Sequence, residues 1–166
     1  MASSSPPLPP ELAATAQRCR RLVSRRALMA AGVAVVPVPG LDWLTDIGIL
    51  MRLLPQINEA FGLSPAQIDR LAPERRLVVY KVLSASGGLL VGKLITRDLV
   101  LRLLQIVGVR LTTQQAAKYV PLAGQAVSAA LTYSALRYVC DQHIRQCAEV
   151  ARQLALPAPG EPVHKL

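Results

Sequence analysis

The sequence predicts an all-α protein, a compact multi-helix bundle with a long C-terminal helix and two proline-glycine corners. Apolar residues recur at helical spacing, and helix start signals stand before several of these segments. A third observation is a repeated arrangement, in which a corner containing proline and glycine precedes an apolar helix, first in Val36–Leu54 and again in Val120–Leu136. The longest predicted helix runs from about Leu122 to Leu154.

The composition predicts one domain that buries an unusual amount of apolar surface. Of the 166 residues, 52% are apolar and 17% are charged, whereas soluble domains usually carry about 25% charged residues. The excess predicts burial in a large partner, an oligomer or a bilayer. The three cysteines form no spaced framework, which favours a reducing compartment. Residues 1–10 are Pro- and Ser-rich and predict disorder, residues 11–156 a single helical domain, and residues 157–166 a disordered tail.

The charge predicts an anionic partner. The chain has 19 Lys and Arg against 10 Asp and Glu, a net charge of +9, which favours lipid headgroups or nucleic acid. The six aromatic residues are scattered and provide no base-stacking platform, so a membrane surface is favoured over nucleic acid. The candidates for membrane or anion contact lie on a basic N-terminal helix predicted at 11–32: Arg18, Arg20, Arg21, Arg25 and Arg26. A second basic stretch spans 70–118, and both also fit ordinary solvated helix faces.

An uncharged stretch follows the five arginines, so the block also suggests an export signal. The twin-arginine order Arg25-Arg26 supports that interpretation, but no A-x-A-like cleavage site follows, and Pro37 and Pro39 interrupt the apolar run. A basic helix leading into a buried one is preferred. The uncharged window Tyr119–Leu136 approaches the length of a membrane span, and a core helix is the first choice there.

Capping residues and prolines predict where the other helices begin and end. Asp42 is the predicted N-cap of the helix after the first corner, which Pro55 kinks or ends. Ser64 and Gln67 predict a capping box, with Pro65 at the first helical position. Pro73 begins another helix, and a further one is predicted over Asp98–Val107.

The segment Gly87–Lys93 matches a phosphate-binding loop except at its last position, and Leu77–Leu83 fits the strand before such a loop. Leu94 stands where a Ser or Thr would hold Mg²⁺, so close helix packing is favoured over nucleotide binding. The helix-packing candidates are small residues spaced four apart: Ser84, Gly88 and Gly92 in one stripe, and Ala126, Ala130 and Ser134 in another.

Cys140, His143 and Cys147 share one helical face. They suggest either a zinc site or a Cys-His nucleophile pair, but a fourth ligand and an orienting third group are not identifiable. A buried face is the favoured interpretation. No catalytic, cofactor-binding or metal-binding residue is therefore assigned, no cofactor is expected, and the protein is predicted not to be an enzyme.

Several stretches, taken in order, resemble a known family: P-V-P-G-L-D-W-L-T-D at 37–46, N-E-A-F-G-L-S-P-A-Q-I-D-R-L-A at 58–72, L-I-T-R-D-L-V-L-R-L-L at 94–104, V-P-L-A-G-Q-A-V-S-A-A-L-T-Y at 120–133 and A-E-V-A at 148–151. Over Ala27–Leu154 the chain resembles the C-terminal helical domain of immunity-related (interferon-inducible) GTPases. It is also similar to bacterial helical domains in EcsC-type and GTPase-associated inner-membrane proteins.

The resemblance implies an all-helical fold and membrane association, and it carries over no catalytic residue, because the GTPase domain is not in this chain. The expected function is a non-enzymatic helical domain that associates with a membrane surface or with a partner protein, such as a separate GTPase. A soluble adaptor, immunity protein or chaperone-like protein is the alternative, and a homo-oligomer is compatible with both. The expected location is cytoplasmic, peripheral to or inserted in the inner membrane.

Overall fold

The computed structural model describes residues 7–34, 41–86, 96, 98–102, 105 and 124–155, and the regular structure of this part of the chain is entirely helical. Residues 98–102 are helical as well. The predicted all-α class and the long C-terminal helix are confirmed, whereas most of both proline-glycine corners lies outside the described residues. The helices are α1 (Pro10–Ala34), α2 (Leu41–Ala60), α3 (Pro65–Asp69), α4 (Pro73–Ser86) and α5 (Gly124–Ala155).

Helix α5 is the centre of the bundle, since it packs against α1, α2 and α4. Its inward side chains recur every three or four residues, the spacing that places them on one face of a helix. Helix α2 contributes the largest core side chains of the opposite wall. The buried positions are Leu136, Val139, Cys140, His143, Ile144, Cys147, Ala148, Val150 and Ala151 of α5, and Ile47, Leu50, Leu53, Leu54, Ile57 and Asn58 of α2.

The most extensive helix pair is α1 with α5. The buried side of α1, here called the α1 inner face, carries mostly small side chains: Ala16, Cys19, Val23, Ala27 and Ala30. Small side chains let two helix backbones approach closely. Dispersion attraction between backbone atoms of the two helices then takes the place of contacts between large side chains. The small-residue packing surface of the described bundle therefore lies on α1.

The helix after the first corner starts earlier and ends later than its sequence signals suggest. Helix α2 begins at Leu41, so Asp42 occupies the second helical position instead of the predicted N-cap. Pro55 neither ends the helix nor lies in the core, because α2 continues to Ala60 and the proline is exposed. On the exposed side, solvent can hydrate the carbonyl that proline leaves without an amide partner.

Two consecutive capping motifs form the turn between α2 and α3. Gly62 has φ +71°, and its N–H donates to the carbonyl of Glu59 at 3.0 Å. The N–H of Leu63 donates to the carbonyl of Asn58 at 2.8 Å, which completes a Schellman motif. The predicted capping box follows and is confirmed, with Ser64 N donating to Gln67 Oε1 at 2.9 Å and Gln67 N to Ser64 Oγ at 3.4 Å.

Helix α4 and the N-terminal residues each differ from an interpretation of the sequence. Residues 77–83 lie within α4, so they are not the strand that a phosphate-binding loop would require. The candidate loop itself, residues 87–93, lies outside the described residues.

At the N-terminus, Leu8 is partly buried against the core and Pro10 is helical, so residues 7–10 do not share the disorder predicted for 1–10. Residues 1–6 and 156–166 are outside the description.

Candidate functional site

The exposed side of α1 carries a row of arginines that leads into an apolar pair. Arg18, Arg21 and Arg25 are exposed, and Leu28 and Met29 follow with exposed fractions of 67% and 65%. We call these five residues the α1 outer face. Two large apolar side chains so exposed, one turn beyond a row of guanidinium groups, form a surface that is both basic and apolar.

The other two predicted arginines of this helix have different positions. Arg20 points toward α5, with its Nε 3.9 Å from Oδ1 of Asp141. At that distance the two groups attract each other without a hydrogen bond. Arg26 is exposed, but it follows Cys19 by seven residues and therefore lies beside the buried side of the helix. The structure thus gathers three of the five candidate arginines on one surface.

The second basic stretch is more dispersed. Arg75 and Arg76 are partly buried and donate to backbone carbonyls, Arg75 Nη1 to Leu154 at 2.9 Å and Arg76 Nε to Leu71 at 3.1 Å. These two guanidinium groups act within the fold. Exposed basic side chains of this stretch in the described part of the chain are Arg70, Lys81 and Arg102.

A polar cluster lies inside the bundle, between α2 and α5. The thiol of Cys147 donates to Asn58 Oδ1 across 3.5 Å, and its sulfur lies 3.6 Å from Nε2 of His143. Cys147 is 0% exposed, and Asn58 and His143 are each 1% exposed. We call these three residues the polar cluster. The sequence placed Cys147 and His143 on one face but gave no signal for Asn58, which comes from another helix.

Burial keeps the cluster uncharged. Removal from water lowers the pKa of His143 to about 4 and raises the pKa of Cys147 far above its usual range, an effect that the nearby Cys19 increases. A backbone contact with Leu54 opposes the shift of His143. That contact falls short of hydrogen-bond geometry, because Nδ1 has no hydrogen-bond partner among the described residues.

The cluster has the side chains of a Cys-His-Asn hydrolase but not the properties that such chemistry needs. A nucleophilic cysteine must ionise and be reached by substrate. Here both partners of the pair are neutral at pH 7 and are enclosed by the core. Cys140 is also buried, and its pKa is raised to about 12. Among the residues that the structure describes, no group of three His, Cys, Asp or Glu side chains is placed to hold a metal ion.

The two predicted small-residue stripes are not covered where the structure describes them. Ser84, Ala130 and Ser134 are exposed, and the Ser84 hydroxyl donates to the carbonyl of Tyr80 in its own helix at 2.9 Å. No described helix covers these three positions, and their predicted role in helix packing stays a prediction. Gly88, Gly92 and the side chain of Ala126 lie outside the described part of the chain.

A second exposed apolar pair lies on α4. Leu77 and Tyr80 are 69% and 57% exposed, and their spacing of three residues makes them neighbours on the helix surface. Lys81 is the adjacent exposed residue. This pair lacks the row of basic side chains that accompanies Leu28 and Met29.

None of the helices in the described ranges combines the length and the apolar character that a bilayer span requires. Comparison of the chain with protein-family models, with curated protein sequences and with solved structures finds no match. Proposals about function therefore depend on the surfaces and the chemistry described above.

Proposed function

We propose that this chain is a non-enzymatic helical domain that associates with the surface of a membrane, on the cytoplasmic side of an inner membrane. The observation that supports this most is the coincidence of positive charge with exposed apolar side chains on α1. The chain has a net charge of +9, and Leu28 and Met29 are more than half exposed. The resemblance to GTPase-associated helical domains supports the same proposal.

The magnitudes favour such binding. Each basic residue close to an anionic bilayer contributes about 1 kcal/mol, and the contribution decreases as salt rises. Full burial of a Leu or Met side chain contributes about 1.5–3 kcal/mol. A few arginines together with two apolar side chains therefore provide enough free energy for reversible attachment, although neither group suffices for strong binding alone.

Flotation of the purified chain with lipid vesicles tests the proposal. The chain is expected to float with vesicles of phosphatidylcholine and phosphatidylglycerol at low salt, and much less with phosphatidylcholine alone. In cells it is expected in the membrane fraction at low salt. A chain that stays wholly soluble in both experiments would contradict membrane association.

The absence of enzymatic activity is part of the proposal and has its own support. Within the described core, the side chains best suited to nucleophilic chemistry are those of the polar cluster, and they are buried and neutral. Hydrolysis of generic thioester or ester substrates by the purified chain, lost in Cys147→Ala, would contradict this part.

The second candidate is an adaptor that buries apolar surface in a protein partner, and the exposed pair Leu77 and Tyr80 on α4 favours it. A separate GTPase is one such partner, on the strength of the resemblance alone, and a second copy of the chain is another. Isolation of a monodisperse complex that depends on Leu77 and Tyr80, together with failure to bind vesicles, would favour the adaptor.

A further inference from the structure

We propose that the α1 outer face is the surface that docks on the bilayer, and that its occupant is a membrane rich in anionic phospholipid. Arg18, Arg21 and Arg25 bind the phosphate groups, and Leu28 and Met29 insert at the boundary between headgroups and acyl chains. This inference rests on the proposed membrane association and adds which surface is used and which lipid class is recognised.

The geometry of α1 brings the five side chains together. Successive residues of an α-helix are about 100° apart and rise about 1.5 Å, so the outer face occupies an arc of about 100° and a length of about 16 Å. The α1 inner face is centred on the opposite side and is covered by α5. A helix held in this way presents its outer face to a flat surface with its axis parallel to that surface.

The charges of this face are available to an external anion. Among the described residues, Arg21 and Arg25 have no ion pair, and Arg18 donates only to the hydroxyl of Thr15, at 3.1 Å. Arg20, on the side toward α5, has a carboxylate partner in Asp141. A guanidinium group forms paired hydrogen bonds with phosphate oxygens, which an ammonium group cannot do in the same geometry.

The apolar pair distinguishes a bilayer from other anions. Leu28 and Met29 continue the row of arginines at a spacing of three and four residues, so they reach the same surface. A bilayer offers phosphate and hydrocarbon within a few ångströms of each other, and interfacial helices use both. A nucleic-acid backbone would satisfy the arginines but leave the two apolar side chains in water.

The decisive experiment compares two sets of charge substitutions in the full chain. The first set is Arg18→Gln, Arg21→Gln and Arg25→Gln, and the matched control is Arg70→Gln, Lys81→Gln and Arg145→Gln on exposed positions elsewhere. Each set removes three positive charges from the net +9. In flotation with mixed phosphatidylcholine and phosphatidylglycerol vesicles, the first set is expected to weaken binding by about 100-fold and the control by much less.

A second pair of variants tests the apolar contribution. Leu28→Ser with Met29→Ser is expected to weaken binding by about 100-fold and to remove the binding that persists at high salt. The control is Leu77→Ser with Tyr80→Ser, which removes a similar exposed area on α4 and should leave vesicle binding unchanged. Circular dichroism and thermal unfolding verify that all variants keep the helical fold.

The outcomes separate the inference from the proposed function. Vesicle binding that both charge sets weaken equally would overturn the docking surface, as would binding that depends on Leu77 and Tyr80, while membrane association itself would stand. Failure of the unmodified chain to bind any vesicle would remove both. Duplex DNA that binds as tightly as the vesicles and is unaffected by Leu28→Ser with Met29→Ser would also overturn the inference in favour of a phosphate-backbone ligand.

Discussion

The thiol of Cys147 in α5 and the side-chain oxygen of Asn58 in α2 meet across 3.5 Å in the core. The contact joins two helices by a polar interaction in surroundings that are otherwise apolar, and polar groups in such surroundings are costly unless they are paired. The backbone carbonyl of Asn58 also accepts a hydrogen bond from the Leu63 amide in the Schellman motif, at 2.8 Å. The contact with α5 therefore lies in the last turn of α2, beside the motif that ends the helix.

The energetic link between Asn58 and Cys147 is measurable by a double-mutant cycle. Asn58→Ala and Cys147→Ala are each expected to destabilise the fold, by about 1–3 kcal/mol, because each leaves a buried partner unsatisfied or opens a cavity. The double variant should lose less than the sum by about 0.5–1 kcal/mol. Urea unfolding of the four proteins gives the coupling, and additive losses would show that the contact contributes nothing.

Because His143 is buried in its neutral form, the free energy of unfolding is expected to fall as the pH is lowered. The pKa of His143 is lowered from 6.5 to about 4 in the folded state, so the unfolded chain binds a proton that the folded chain does not between those values. Stability is therefore fully present above about pH 6.5 and decreases as the pH falls toward 4, by an amount on the order of 3 kcal/mol.

Urea unfolding from pH 4 to pH 8 tests this, with His143→Leu as the control. The variant should lose the part of the pH dependence that comes from the histidine. Glu149, whose pKa is lowered mainly by a hydrogen bond from Arg152, also favours loss of stability in acid and is present in both proteins. Identical pH profiles would mean that His143 is protonated without cost in the folded state.

The glycine after α2 predicts opposite effects for two similar substitutions. Gly62 has φ +71°, so Gly62→Ala should destabilise the fold by about 1–2 kcal/mol through backbone strain. The matched control is Gly48→Ala, an exposed position inside α2, which should stabilise by about 0.5–1 kcal/mol. A methyl group at either site meets no atom within 4 Å, so packing does not obscure the comparison. Thermal unfolding that moves both variants in the same direction would contradict it.

The three thiols are expected to react only after unfolding. Cys140 and Cys147 are 0% exposed and Cys19 is 6% exposed, and burial raises the pKa of all three. A thiol reagent at pH 8 should therefore label the native chain slowly, at the rate of opening, and all three cysteines at once in denaturant. Rapid labelling of Cys147 in the native state would show that the polar cluster is accessible.

Local features of the fold could be predicted from the sequence, because their causes lie within a few residues. The capping box of Ser64 and Gln67 and the long helix α5 are examples. The continuation of α2 through Pro55 was not predictable in the same way, because it depends on which side of the helix faces the core. The small side chains that pack closely in the described part of the chain include Ala16, Ala27 and Ala30 on α1, a surface that the sequence analysis did not single out.

The candidate surfaces were predictable only in part. Charge alone identified the five arginines. Which of them belong to the α1 outer face, and that Arg20 lies near Asp141 instead, depends on how α1 packs on α5. The common face of Cys140, His143 and Cys147 followed from their spacing. Asn58 could not be assigned to that face, because its contact with Cys147 joins residues 89 positions apart.

The central position of α5 has a consequence for the order of folding. Helices α1 and α2 pack against each other, but α1, α2 and α4 all pack against a helix that is synthesised after them. The sides of these helices that face α5 therefore lack that partner until residues 124–155 have left the ribosome. Contacts between distant parts of a chain also slow folding. We therefore expect the nascent chain to expose the apolar sides that α5 will cover for most of its synthesis, and to complete the bundle in a late step.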